Sequence, residues 1–172
     1  MAPPLPPTPI GTYLTGHPTT PPTINVECYI DLVCPFSAKM FMTLYREVVP
    51  EIRAKQQSSK IAIKIHHVVQ PWHPQGTLVH EAALAAKKVL KNDDEYFAYF
   101  DSLCKDFTGP DQKFSDADTW SKSRNEIYED LLQPFRNDPR GDAIRKLLVP
   151  ETLEGNCGNG VTQDVKWACK HH

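Results

Sequence analysis

Hydrophobic positions along the chain change period several times, and each change marks a candidate element. Residues 23–30 (Thr-Ile-Asn-Val-Glu-Cys-Tyr-Ile) alternate and predict a strand, with Ile30, Leu32 and Val33 burying its far end. From residue 37 to about 55, Met40, Phe41, Leu44, Tyr45, Val48, Val49 and Ile52 recur at spacings of three and four, which predicts a helix. Pro50 should kink its last turns, because the ring removes a hydrogen bond and crowds the preceding turn. Residues 61–69 are rich in β-branched side chains and predict a second strand carrying Ile61, Ile63, Ile65 and Val69 on one face, closed by Pro71 and Pro74. Helical periodicity then runs from Thr77 to Val149. It divides into helices over residues 78–91 and 93–107, a third capped by Thr119 and running through Leu132, and a fourth after Asp138-Pro139, read as a cap with proline at the first helical position. A last short helix is expected from Thr162.

This order, strand–helix–strand followed by about four helices, predicts an α/β protein. The amino-terminal 22 residues stand apart. Eight of the sixteen prolines lie there and no Lys or Arg does, so residues 1–22 read as an extended, poorly ordered arm. Such an arm is a candidate ligand for a proline-recognising domain. It lacks the basic start and unbroken apolar segment of a secretory signal, and the arginines of a transit peptide. The remaining residues 23–172 read as one domain: strand–helix–strand over 23–70, a helical insertion over about 76–150 and a closing helix over about 161–172.

Charge and cysteine usage narrow the chemistry. A net charge of −2 with 19 dispersed basic residues offers no basic stripe for nucleic acid, and no apolar run approaches a membrane span. The five cysteines (28, 34, 104, 157 and 169) are odd in number and scattered, which predicts reduced thiols in a cytoplasmic protein rather than a disulfide framework. Cys28 and Cys104 read as packing residues. Cys157 and Cys169 flank a turn-rich stretch and could pair only under oxidation. His66, His67, His73 and His80 cluster in sequence, but adjacent strand residues point to opposite faces and no acid or cysteine completes a metal-ligand spacing, so no metal is expected.

Cys34 is different. It lies between a strand and a helix, where the unpaired backbone N–H groups of a helix start favour a thiolate over a thiol. Pro35 suits the first helical turn, since its missing N–H would have had no partner there. The bland alternative is a small apolar filler at a strand end; spacing alone does not decide between the two.

Gly16-His17-Pro18, Pro21-Pro22-Thr23, an apolar strand, Asp31 and then Cys34-Pro35-Phe36-Ser37 resemble the start of DsbA-like thioredoxin-fold proteins. Val69-Gln70-Pro71-Trp72-His73-Pro74 is similar to the strand exit that precedes the inserted helical domain of that family. The resemblance covers about residues 16–74. It implies a thioredoxin-like fold with an inserted helical subdomain and a thiol–disulfide oxidoreductase activity. In this chain Ser37 stands where the family has its second cysteine. A hydroxyl cannot release a mixed disulfide, so the expected chemistry is monothiol: Cys34 attacks, and glutathione or another thiol resolves. Ser37, about one turn on, is placed to donate a hydrogen bond to the Cys34 thiolate, a feature shared with kappa-class glutathione transferases.

The family also returns from its insertion into a strand preceded by a cis-proline, and no counterpart is seen before His172. The expectation is therefore a C-terminally incomplete version of the fold. Two rival readings follow: a catalytically inactive binding or scaffold protein acting through the sheet edge or proline-rich arm, and a glutathione-dependent transferase or isomerase using Ser37. Expected substrates are protein thiols or small molecules, with no tightly bound cofactor beyond glutathione as co-substrate. Around the catalytic candidates Cys34 and Ser37 lie Pro35, Phe36, Asp31 and Trp72. Asp31 reads more readily as a loop cap than as a proton-transfer group, and Trp72 more readily as part of a satellite core cluster than as a groove wall.

Overall fold

In the computed structural model, which describes residues 11–150 and 159–169, the α/β class is realised as a small three-stranded sheet covered by helices. The sheet order is β1 (Gly11–Tyr13), β3 (Ile61–His67), β2 (Ile24–Ile30). β2 and β3 run parallel with Ile24 opposite Ile61 and Ile30 opposite His67, joined through a helical crossover. Parallel neighbours require such a crossover. β1 pairs antiparallel with β3, Gly11 opposite His66.

β1 revises the reading of the proline-rich arm. Residues 11–13 are a sheet strand, and the chain stays attached beyond it: Leu14 N–H donates to Ile63 C=O (2.7 Å), and Ile63 N–H to Thr15 Oγ1 (3.1 Å). Three residues between prolines carry too little periodicity to announce a strand. Gly11 permits the approach, because a Cβ there would stand 2.8 Å from the His66 ring. Residues 1–10 lie outside the described residues.

β3 is central and buried on both faces, so Ala62 and His66 are as enclosed as Ile63 and Ile65. The crossover helix begins at Pro35 rather than Ser37 and is interrupted. α1 (Pro35–Thr43) passes into a π turn (Leu44–Val48) and then α2 (Val49–Ala54). Val49 N–H donates to the Leu44 carbonyl, five residues back, in place of the regular fourth. This is how the chain accommodates Pro50, which cannot donate and crowds the turn before it. The expected kink is a π turn.

α3 (Gly76–Leu90) buries an Ala-rich face, and α4 (Asp93–Thr108) packs on it and on α1. Asn92 starts α4 by accepting from the N–H groups of Asp94 (2.9 Å) and Glu95 (3.4 Å). Phe41 of α1 lies against Phe100 (ring centroids 4.4 Å apart) and Phe97 (6.1 Å) at the centre of the core.

The helix predicted from Thr119 through Leu132 is two helices: α5 (Asp116–Thr119), capped by Ser115, and α6 (Arg124–Leu131). Ser123 wins the cap of α6 because Glu126 answers it reciprocally in a capping box. α7 (Gly141–Leu148) starts two residues later than Asp138-Pro139 suggests, since Asp138 spends its carboxylate on the backbone and guanidinium of Arg140. α8 (Thr162–Cys169) returns to α3. There the buried Glu81 gathers Thr162 Oγ1 (2.9 Å), Arg124 (3.2 Å) and the Tyr128 hydroxyl, fastening α3, α6 and α8. Among the described residues no helix is long and apolar enough to cross a membrane.

Candidate functional site

At the carboxyl end of β2 the chain makes a tight turn into α1, and Cys34 is the N-cap of that helix. Its backbone is extended (φ −99°, ψ 120°), its C=O accepts from Ala38 N–H (2.9 Å), and its N–H donates to the Asp31 carbonyl (3.2 Å). Pro35 occupies the first helical position, as its missing donor favours. Cys34 is half-buried, not enclosed in the core. Cys28 and Cys104 are buried, and burial pushes both thiols up from their ordinary range. The Ser37 hydroxyl lies on the next turn, but no hydrogen bond joins it to Cys34 in this state.

Beneath the turn Asp31 is fully buried, and its two carboxylate oxygens divide the work of holding the site. Oδ1 accepts from Val33 N–H (3.1 Å) and lies 3.3 Å from His80 Nε2. Oδ2 accepts from Gln70 N–H (3.2 Å) and lies 2.9 Å from His73 Nδ1. The carboxylate thus ties the Cys34 turn to the exit loop of β3 and to α3. Burial pushes its pKa up, but the hydrogen bonds from His80 and His73, the charge of His80 and the Val33 amide outweigh this and hold it below the ordinary carboxylate value.

A chain of polar groups continues inward. His80 Nδ1 lies 2.7 Å from His67 Nδ1, and His67 Nε2 lies 2.7 Å from the Tyr96 hydroxyl. Hydrogen-bond accounting gives this chain a direction. The buried Tyr96 O–H has His67 as its acceptor, so His67 carries its proton on Nδ1 and donates to His80 Nδ1. His80 then carries its proton on Nε2 and donates to Asp31. The opposite orientation would satisfy the Leu32 N–H, 3.2 Å from His80 Nε2, but would strand the phenol proton and forfeit a charge-assisted bond to the carboxylate. Burial, with the charges of His80 and His66, drives the His67 pKa well below the ordinary histidine value, and burial foremost raises that of Tyr96.

The rim is apolar and open. Phe36 (81% exposed) and Trp72 (64% exposed) both stand in solvent, Trp72 edge-on to His73 with ring centroids 6.2 Å apart. Trp72 is therefore not part of a satellite core cluster: its indole stands in solvent while Gln70 N–H and the His73 ring, on either side of it in the loop, bond to Asp31. A groove of about 270 Å³ runs from Pro35 and Lys39 to Phe107, Thr108, Gln112 and Ser115.

Sequence reasoning offered Cys34 and Ser37 with Pro35, Phe36, Asp31 and Trp72 as one site; the structure joins Cys34 to Asp31 by a backbone hydrogen bond and Asp31 to His73 beside Trp72, and it adds His80, His67 and Tyr96, which were not candidates for that site. The rule that adjacent strand residues face opposite ways holds: His66 stacks on Tyr29 (4.8 Å) on one face of the sheet while His67 enters the core from the other. The available signal was a lone histidine, His80, on an otherwise Ala-rich buried helix face. Among the described residues no group of three or more His, Cys, Asp or Glu is arranged to hold a metal ion.

No protein-family model matches the chain, and no curated protein does. A solved structure described as a "putative protein-disulfide isomerase" from Pseudomonas syringae is similar to it, with 20% sequence identity over 71% of this chain and 70% of that one, at a TM-score of 0.45. A likeness of that size carries no argument about what this chain does.

Proposed function

We propose that this chain performs thiol–disulfide exchange through Cys34, with a small external thiol such as glutathione as the resolving partner. The observation that supports this most directly is the placement of Cys34: half-buried, at the N-cap of α1, the end of the helix that carries its unpaired N–H groups. The Cys34 thiolate attacks a disulfide R–S–S–R′, R′S⁻ leaves, and the Cys34–S–S–R intermediate is attacked by the external thiol, which returns Cys34 to its reduced form. Ser37 cannot take the resolving role, so the second step is intermolecular. The open rim of Phe36 and Trp72 suits a peptide or small apolar group carrying the disulfide.

Incubation with oxidised glutathione should place one glutathionyl group on Cys34, read by peptide mass spectrometry, and reduced glutathione should remove it. Cys34→Ser should abolish the modification. Modification of Cys34 no faster than that of an unfolded peptide thiol would refute the reading.

A second reading, in which the protein binds a partner along the outer edge of β2, is favoured by the exposure of Ile24, Val26 and Tyr29 on that strand. It expects partner binding to survive Cys34→Ser.

A further inference from the structure

The thiol reading leaves one matter open: what takes the proton from Cys34. Asp31 is unsuited to it. Its carboxylate is already held by two backbone N–H groups and two imidazoles, which stabilise its charged form. The same arrangement prepares a different group. Asp31 Oδ2 stands 2.9 Å from His73 Nδ1, and an ionised carboxylate only accepts, so His73 carries its proton on Nδ1. That tautomer leaves Nε2 with a free lone pair on a side chain that is 17% exposed. Among the described residues Nε2 has no hydrogen-bond partner.

We propose that His73 is the general base for Cys34, oriented by Asp31, so that the three form a cysteine–histidine–aspartate arrangement, with His80, His67 and Tyr96 as positioning residues behind it. This rests on Cys34 being the exchanging thiol. Both partners are fixed to the same residue: Cys34 N–H is bonded to the Asp31 carbonyl, and the His73 ring to its carboxylate. The backbones of the two loops also converge. A Cβ added at Gly76 would lie 3.5 Å from both His73 Cβ and Val33 Cγ2, Val33 being the residue before Cys34. No hydrogen bond joins the sulfur to Nε2, and a rotation of the Cys34 or His73 side chain is required to bring them together when substrate binds.

The step balances without further reagents. Nε2 takes the thiol proton, giving Cys34–S⁻ and an imidazolium whose charge Asp31 offsets. The thiolate attacks the disulfide, and the imidazolium returns the proton to the departing thiolate as R′–SH. Asp31 is kept ionised and immobile by His80, and the hydrogen bonds running from Tyr96 through His67 to His80 all point towards it. The titratable groups around His73 are Asp31 from the β2–α1 turn, which it contacts, and His80 of α3 across the same carboxylate.

The test is the rate of carbamidomethylation of Cys34 by iodoacetamide from pH 5 to 10 in the full chain, read on the Cys34 peptide. His73→Gln, which cannot take a proton, should move the midpoint of the profile towards alkaline pH by about one unit, roughly a tenfold loss of rate at pH 7. Glutamine keeps a donor for the buried Asp31 carboxylate, and the variant's thermal unfolding is measured alongside, so that lost stability is told apart from the lost base. His73→Ala should show the same loss and regain rate on addition of free imidazole, which a purely structural role would not allow. A reactive Cys34 whose profile is unchanged in His73→Gln overturns the assignment of His73 while leaving the thiol reading intact. A Cys34 that does not react in the wild type overturns both.

Discussion

His67 makes stability depend on pH, and the effect can be worked out from the structure. The ring is enclosed, holds Tyr96 on one nitrogen and His80 on the other, and is kept neutral because burial drives its pKa well below 6.5. In the unfolded chain it titrates near 6.5. Below that pH the unfolded state binds a proton that the folded state refuses, so unfolding takes up protons and stability must fall as the solution is acidified. The loss grows to about 1.4 kcal/mol per pH unit. Over the range in which the folded ring stays neutral, each pH unit below 6.5 therefore removes up to that amount, a large part of the margin of a domain this size.

Asp31 does not confuse the measurement. Its folded pKa is depressed, so its contribution is present above the unfolded value of 3.8 and is lost only as pH falls through its folded value, below the range used. Urea unfolding at half-unit steps from pH 7.5 to 4.5 gives the free energy at each pH. His67→Gln retains a donor and an acceptor for Tyr96 and His80 but does not titrate. It should cost stability at neutral pH and then lose much less on acidification than the wild type. A wild-type stability that is level from pH 7.5 to 5, or a decline equally steep in His67→Gln, would show that His67 is not held neutral and that the directed chain of hydrogen bonds is wrong.

Two further substitutions probe the frame that carries the site. Phe41→Ala empties the place where α1 meets the aromatic residues of α4 and should cost about 3–5 kcal/mol in the same unfolding assay; a loss under about 1 kcal/mol would mean the cluster is not packed as described. Asn92→Ala removes the acceptor for two N–H groups at the start of α4 and should cost about 1 kcal/mol, with amide exchange accelerated first at Asp94 and Glu95.

Much of the frame was legible because it depends on local rules. The β-branched run 61–67 follows from burying β3 on both faces and the helical spacing of Tyr96, Phe97, Phe100 and Leu103 from burying one face of α4, while residues 23–30 alternate as a strand should although only Cys28 and Ile30 of β2 are buried. Cys34 was legible for the same reason: strand, cysteine, proline and helix follow in order along the chain. Boundaries failed where two caps competed. Thr119, Ser123, Asp138 and Arg140 are all plausible terminators, and reciprocal bonds such as Ser123 with Glu126 decide among them. β1 failed because its evidence lies in β3, some fifty residues away, where Gly11 meets His66.

The polar chain behind Cys34 is hidden for a deeper reason. Asp31, His67, His80 and Tyr96 come from a turn, a strand and two helices, and no two of them stand at a spacing that means anything locally. Each alone has a bland explanation: a loop cap, a strand end, a core histidine, a helix tyrosine. What makes them one object is that each supplies the partner the next requires. Tyr96 must donate, His67 and His80 must each pass one proton and accept another, and Asp31 accepts at the end. Replace the last acceptor by a neutral group and the orientation of the whole chain loses its reason, because the Leu32 N–H then competes for His80 on equal terms. A polar core of this kind is costly when half-satisfied, so its four members are expected to be substituted together or not at all. The residue it serves stands outside it, on the far side of the Asp31 carboxylate, where His73 is held through Nδ1 by the other carboxylate oxygen.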